Sequence, residues 1–272
     1  MVEGLRRARA EDGFHLAVRA WTVPVYRADA ATPRHTVSLT APWTSFRAYG
    51  PVPIPAGARP DPQGDGHMAV IDPADGCVYD FWQAREEGGA WSASWATSTA
   101  ITGDGSYGGG LGARGSGLAL VAGLIRPEDL RAGRIPHALI FGYPRTASDV
   151  HVPPATKTDG RSTGPEAIPM GTRVQLDPSL DLDTLDLSPY ERTIARALQE
   201  YGMILGDSGG SLSLYAVHPQ SYPSDPYAGI LPGGTSVTLA KIPVDRFRVL
   251  ATGPERTGTT GAPAPPRCGT MR

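Results

Sequence analysis

Apolar and polar positions in this chain alternate over short runs, and the runs are separated by turns rich in glycine and proline. The clearest runs are Met68–Asp72 and 77–83, joined by Pro73-Ala-Asp-Gly76. Side chains alternate across a strand, so Met68, Val70, Tyr79 and Phe81 are predicted to share a buried face. His67, Asp80 and Trp82 should project from the other. The connecting turn ends in glycine, which takes the left-handed backbone position at little cost. Further strands are predicted at 14–26, 137–143, 203–205, 211–217, 236–239 and 247–251. Two segments read as helices. In 126–133, Pro127 fits a first turn, Glu128 and Asp129 complement the helix N-terminus, and Gly133 can close it. Ser188-Pro-Tyr-Glu191 is a capping box. Ile194, Leu198 and Tyr201 follow at helical spacing, and Gly202 is a suitable terminator.

These elements predict a mainly β protein, a β-sandwich or jelly roll with two short helices. Residues 1–35 read as an N-terminal lead-in, extended apart from one strand. Residues 36–252 read as a single sandwich domain, and 253–272 as a disordered tail. The segments 51–66 and 98–116 are long Pro/Gly-rich and Gly-rich loops, and a long irregular loop in a compact domain is usually functional or mobile.

Composition reinforces the β reading. The 272 residues include 34 glycines and 27 prolines, and only 19% are charged. A net charge of −2 creates no field that would draw nucleic acid or an anionic membrane. No stretch is long and apolar enough to span a bilayer. The arginine-rich start has no following apolar region, so no signal peptide is visible, which fits either a cytoplasmic protein or one whose leader was removed or misannotated. Cys77 and Cys268 form neither a disulfide framework nor a zinc site; a bridge between them is allowed but not compelled. No cofactor motif is present. A structural calcium would suit a loop-rich sandwich with many aspartates, although no loop has EF-hand spacing. The chain is expected to act as a monomer.

Gly206-Asp-Ser-Gly-Gly-Ser211 has the form of a chymotrypsin-like nucleophile motif, in which glycines let backbone amides build an oxyanion hole. Its context differs from such a protease. The sequence around His67 lacks the expected setting for a catalytic base, and the capped helix leads straight into the motif. The bland alternative is a glycine-rich turn between two strands.

A wider pattern comprises His67-Met-Ala-Val-Ile-Asp72, Tyr79-Asp-Phe-Trp82, Gly133-Arg-Ile-Pro-His-Ala-Leu139, Ile168-Pro-Met-Gly-Thr-Arg173 and Tyr201-Gly-Met-Ile-Leu205. Over about residues 65–250 it resembles a family of secreted bacterial proteins, largely without assigned function. The resemblance implies an extracellular setting. Where this chain has Gly206-Asp-Ser-Gly-Gly, that pattern usually has Ala-Asp-Asn-Gly-Ser, so Asp207 matches and Ser208 does not. Ala113-Arg-Gly-Ser-Gly117 also departs from it.

The candidate chemistry is that of sugars. An indole stacks on a pyranose while a carboxylate and an imidazole take its hydroxyls, which makes His67 and Trp82 candidate binding residues. The competing reading packs Trp82 under the glycine-rich loop and pairs Asp80 with His67. Asp80 and Asp207 are candidates for the carboxylate pair of glycoside hydrolysis, with turn capping the alternative for Asp207. His137 could act as base in polysaccharide β-elimination, assisted by Tyr201 or Lys157, or could be a hydrogen-bonded core or cap residue. Arg173 could neutralise an acidic sugar or form a structural ion pair. Trp91, with Trp95, could extend a stacking platform or pack in the core. The expected function is cleavage of a polysaccharide by hydrolysis or elimination. The alternatives are a non-catalytic glycan-binding or wall-associated protein and, less favoured, a serine protease.

Overall fold

The computed structural model describes residues 1–261 and 266–272. The chain is mainly β, with a few short helices, in a sandwich-like arrangement. A mixed seven-stranded sheet runs in the order Ser236–Thr238, Phe14–Ala17, Leu212–Tyr215, Leu139–Tyr143, Met203–Ser208, Arg173–Leu176, Phe247–Val249. Helices Val2–Asp12 and Pro189–Glu200 cover one face, where Leu5, Ala8, Ile194 and Leu198 pack with Phe14, Leu16, Phe141, Leu205, Leu212 and Leu214. A four-stranded sheet holds the predicted hairpin, and a five-stranded sheet lies against it. Val37, Tyr49 and Trp91 of the latter meet Val70, Tyr79 and Phe81 of the former in a second core. A third apolar cluster, including Ala69, Leu118, Leu120 and Ile140, fills the space between the four- and seven-stranded sheets.

The local predictions match closely. The hairpin is Met68–Asp72 against Cys77–Trp82, with Ile71 opposite Val78 and Ala69 opposite Asp80. Gly76 takes a φ of 66°. Asp72 is buried and accepts the amides of Ala74 and Asp75, closing the turn. The capping box at Ser188 and Glu191 is formed reciprocally, and Gly202 ends the segment at a φ of 72°. Pro127–Arg131 is the short helix.

The chain ends differ from expectation. Residues 2–12 form a helix, making three α-helices among the described residues in place of two, because Leu5 and Ala8 find a buried face on the large sheet. The strand expected over 14–26 is split into Phe14–Ala17 and Val25–Arg27, which join different sheets. The reversal between them includes Trp21 at a φ of 57°. The first 35 residues are thus part of the packed structure. The described part of the tail is also tied down. Arg256–Thr257 pairs with Thr146–His151, Thr270–Met271 pairs with Ala48–Pro53, and Cys268 forms a disulfide with Cys77. Residues 262–265 of the expected tail lie outside the described part.

Candidate functional site

Alternation along the seven-stranded sheet sends one set of side chains into the helix-covered core and the other into a cleft. Phe14, Leu16, Leu212 and Leu214 are core residues, whereas His15, Ala17, Ser213 and Tyr215 line the cleft. Strict alternation from Met203 and Leu205 would also bury Asp207 in the core. A bulge prevents this: Phe141 pairs with Leu205, but Gly142 pairs with Asp207, leaving Gly206 as the extra residue. Such an insertion re-aims the side chain that follows it. Asp207 therefore emerges opposite Leu205, on the cleft side. Glycine at 206 leaves room for Ile140, whose side chain would have to move aside for a Cβ there.

The cleft has two lobes that meet at Asp65, His67, Asp207 and Ser208. One lobe, about 620 Å³, lies over the large sheet and is flanked by Trp21 and Tyr215. The other, about 540 Å³, runs over the sandwich edge past Trp43, Phe46, Trp82, Lys157 and Asp159. Large exposed apolar side chains are few. Trp21, Trp43 and Phe46, at 55%, 64% and 38% exposure, are three of the five among the described residues, and all three lie on this cleft. The Trp43 and Trp82 rings approach to 5.7 Å between centroids at a 36° tilt. Exposed aromatics gathered at one concavity mark a binding surface.

Electrostatically, the floor holds three carboxylates around one buried guanidinium. Arg114, only 2% exposed, sits 3.7 Å from the Asp207 carboxylate, donates to the Leu120 carbonyl at 2.7 Å and lies over the Tyr215 ring. Burial pushes Asp207 up to about 7, opposed by Arg114 and reinforced by the charges of Asp159 and Asp65. Asp65 is raised by burial, with the Trp82 indole opposing and Asp159 adding to the rise. His67 lines the cleft, yet burial first and Arg114 second hold its imidazole neutral, down to about 3. Lys157 is lowered by burial, against the attraction of Asp159 and Asp207, and donates to the Gly112 carbonyl at 2.8 Å. Gly115 admits the close approach of this loop to the acids; a Cβ there would lie 2.6 Å from an Asp159 carboxylate oxygen.

Local geometry secures the rest. Gly66, at a φ of 46°, faces Gln83 and Ala84, whose amides donate to the Asp65 and Gly66 carbonyls at 2.8 and 3.0 Å. These bonds prolong the hairpin and hold Asp65 and His67 beside Trp82. The left-handed Trp21 costs on the order of 1–3 kcal/mol for a non-glycine residue. It is anchored by the next residue, buried Thr22, whose hydroxyl donates to the Ala216 carbonyl.

Of the residues singled out from sequence, His67, Trp82, Lys157 and Asp207 come together here, Lys157 without the His137 it was expected to assist. Asp80 does not join them. It lies on the predicted face, but the loop 105–124 closes over it. Its carboxylate accepts the Tyr107 hydroxyl at 3.1 Å and the Leu120 amide at 2.9 Å, with no exposure to solvent. No Asp80–Asp207 pair therefore faces one cleft. His137 lies outside, with Nε2 3.7 Å from Asp129. Arg173 donates to the Tyr201 carbonyl and so satisfies the end of the long helix, while the Tyr201 hydroxyl accepts from Arg134 at 3.5 Å. Trp91 is 6% exposed and packs in the sandwich core because its strand belongs to the five-stranded sheet, whereas Trp95 belongs to the four-stranded sheet. Only Trp95 reaches the cleft.

Sequence reasoning missed Asp65, Asp159, Arg114, Trp21 and Trp43. Asp65 was accessible through its spacing of two from His67, and the two tryptophans through their isolation in a chain with only 7% aromatic residues. The Ser208 hydroxyl donates to Asp159 at 2.7 Å, and among the described residues no histidine hydrogen-bonds to it. Nor do the described residues contain a cluster of three or more acidic, histidine or cysteine side chains able to hold a metal ion.

No family model, curated protein or solved structure matches the chain.

Proposed function

We propose that the cleft binds a glycan chain and hydrolyses a glycosidic bond, with Asp207 as general acid and Asp159 as the partner carboxylate. The observation that carries this reading is the sharing of one tryptophan-flanked cleft by a largely buried carboxyl group and an open one. Asp207 is protonated up to about pH 7, so it can deliver a proton to a departing sugar oxygen near neutrality. Asp159 is open to solvent and accepts the Ser208 hydroxyl, which suits a base for water or a nucleophile. Asp65 adds negative charge that favours an oxocarbenium-like transition state. In this reading Asp159 takes the role first considered for Asp80.

A secreted setting belongs to the same proposal. The Cys77–Cys268 disulfide supports it, since such bonds persist mainly in oxidising compartments.

The test is incubation with a panel of polysaccharides. Hydrolysis predicts new reducing ends without an ultraviolet-absorbing unsaturated product, and Asp207→Asn should stop turnover while retaining binding. An unsaturated product would assign elimination instead, and binding without product would leave a glycan-binding protein.

A further inference from the structure

The acidic cluster stands mid-way along the cleft, with aromatic surface on both sides. Trp21 flanks one lobe; Trp43 and Trp82 flank the other. Both lobes fall within the range of roughly 300–1,000 Å³ that encloses small-molecule ligands. Each can therefore take at least one sugar ring. A site that removed single sugars from a chain end would need one side closed. Here both lobes continue away from Asp207, and Gly210, at the rim, has nothing within 4 Å of where a Cβ would stand.

The charge of the lining restricts what can lie there. Asp65, Asp159 and Asp207 face the cleft, and Lys157 is the single lysine or arginine among the described lining residues. That ammonium is engaged with the Gly112 carbonyl, and Arg114 is buried behind Asp207. A uronic-acid chain would bring its carboxylates against Asp65, Asp159 and the proton-holding Asp207 with no free cation to receive them.

Resting on the glycan-cleaving reading above, we infer that the cleft takes the interior of a neutral or amino-sugar polymer, with sugars bound on both sides of Asp207, and excludes polyuronates. Cutting is then internal, and Trp21 and Trp43 are binding residues for opposite halves of the substrate.

The test uses the intact protein with oligosaccharide ladders from dimer to octamer. These are neutral gluco-, xylo- and manno-oligomers, chito-oligomers with acetylated or free amines, and oligogalacturonates. Affinity should rise with length until both lobes are filled. Oligogalacturonates should bind at least tenfold more weakly than the best neutral or amino-sugar ladder. Trp21→Ala and Trp43→Ala, both exposed and thus compatible with folding, should each lower affinity for long oligomers about tenfold. A dimer should be sensitive to only one of the two. Cleavage products of the octamer, read alongside, should come from its interior. Affinity that saturates with one lobe filled, or release of single end sugars, would overturn the two-sided cleft while leaving hydrolysis standing. Two-sided binding without any product would overturn hydrolysis and keep the cleft. Preference for oligogalacturonate would overturn the charge argument, and failure of every ladder to bind would overturn both.

Discussion

Replacing Asp207 by asparagine should stabilise the protein, and only on the alkaline side. The carboxyl is 16% exposed and is pushed from 3.8 to about 7 in the folded chain. Below pH 3.8 both folded and unfolded forms hold the proton, so the group contributes no pH dependence. Between 3.8 and 7 the unfolded chain releases a proton that the native one keeps, and stability falls as pH rises. Above 7 the full cost applies, up to about 4 kcal/mol at 1.36 kcal/mol per pH unit. Asparagine has the shape of the protonated acid and never ionises. Urea unfolding should therefore give similar stabilities for wild type and Asp207→Asn at pH 4. At pH 8 the variant should be about 2–4 kcal/mol more stable, a gain of the kind seen when a strained functional group is removed. The comparison cancels Asp61 and Asp80, each raised to about 6 chiefly by burial and common to both proteins. Equal differences at both pH values, or a variant less stable at pH 8, would refute the raised carboxyl.

Other substitutions separate structure from chemistry. Asp80→Ala leaves the Tyr107 hydroxyl and the Leu120 amide without their acceptor, and should cost about 2–5 kcal/mol in urea unfolding at pH 4, where the raised carboxyl holds its proton in the native chain. Turnover per folded molecule should be unchanged. Replacing Cys77 and Cys268 by serine removes a link spanning 191 residues of sequence, with an expected loss of about 2–5 kcal/mol. A reductant should lower the unfolding midpoint of the wild type but not of the double variant. Gly115→Ala pushes the Asp159 carboxylate away from the 114–116 loop, and should reduce turnover at least about tenfold with a small change in melting temperature, since a misplacement of about 1 Å can cost a hundredfold in rate.

What could be read in the sequence was local. The hairpin register follows from alternation plus a turn ending in Gly76, and the Ser188 helix from a reciprocal cap and a terminating glycine. Those devices act over a few residues. The aim of Asp207 depends on a mismatch with a strand more than sixty positions earlier, where Gly142 skips Gly206. No periodicity within 203–208 reveals it. Asp80 illustrates the reverse case. Its face was predicted, but its role was decided by Tyr107 and Leu120, brought over it by a loop whose path is a long-range property. Arg173 and Tyr201 carry groups suited to substrate, yet the carbonyl at the end of a helix claimed the guanidinium first. The glycine-rich stretch over 98–116 was expected to be functional or mobile. It delivers Arg114 and Gly115 to the acids because small residues there permit that approach.

The most direct test of glycoside hydrolysis at Asp207 is the pH profile of reducing-end release from a neutral polysaccharide. Hydrolysis with Asp207 as acid predicts turnover that falls as pH rises through about 7, where the carboxyl loses its proton, and a residual rate in Asp207→Asn at least a hundredfold lower, on the order expected for loss of a positioned acid. Turnover that persists undiminished in Asp207→Asn, with the same alkaline limb, would contradict it.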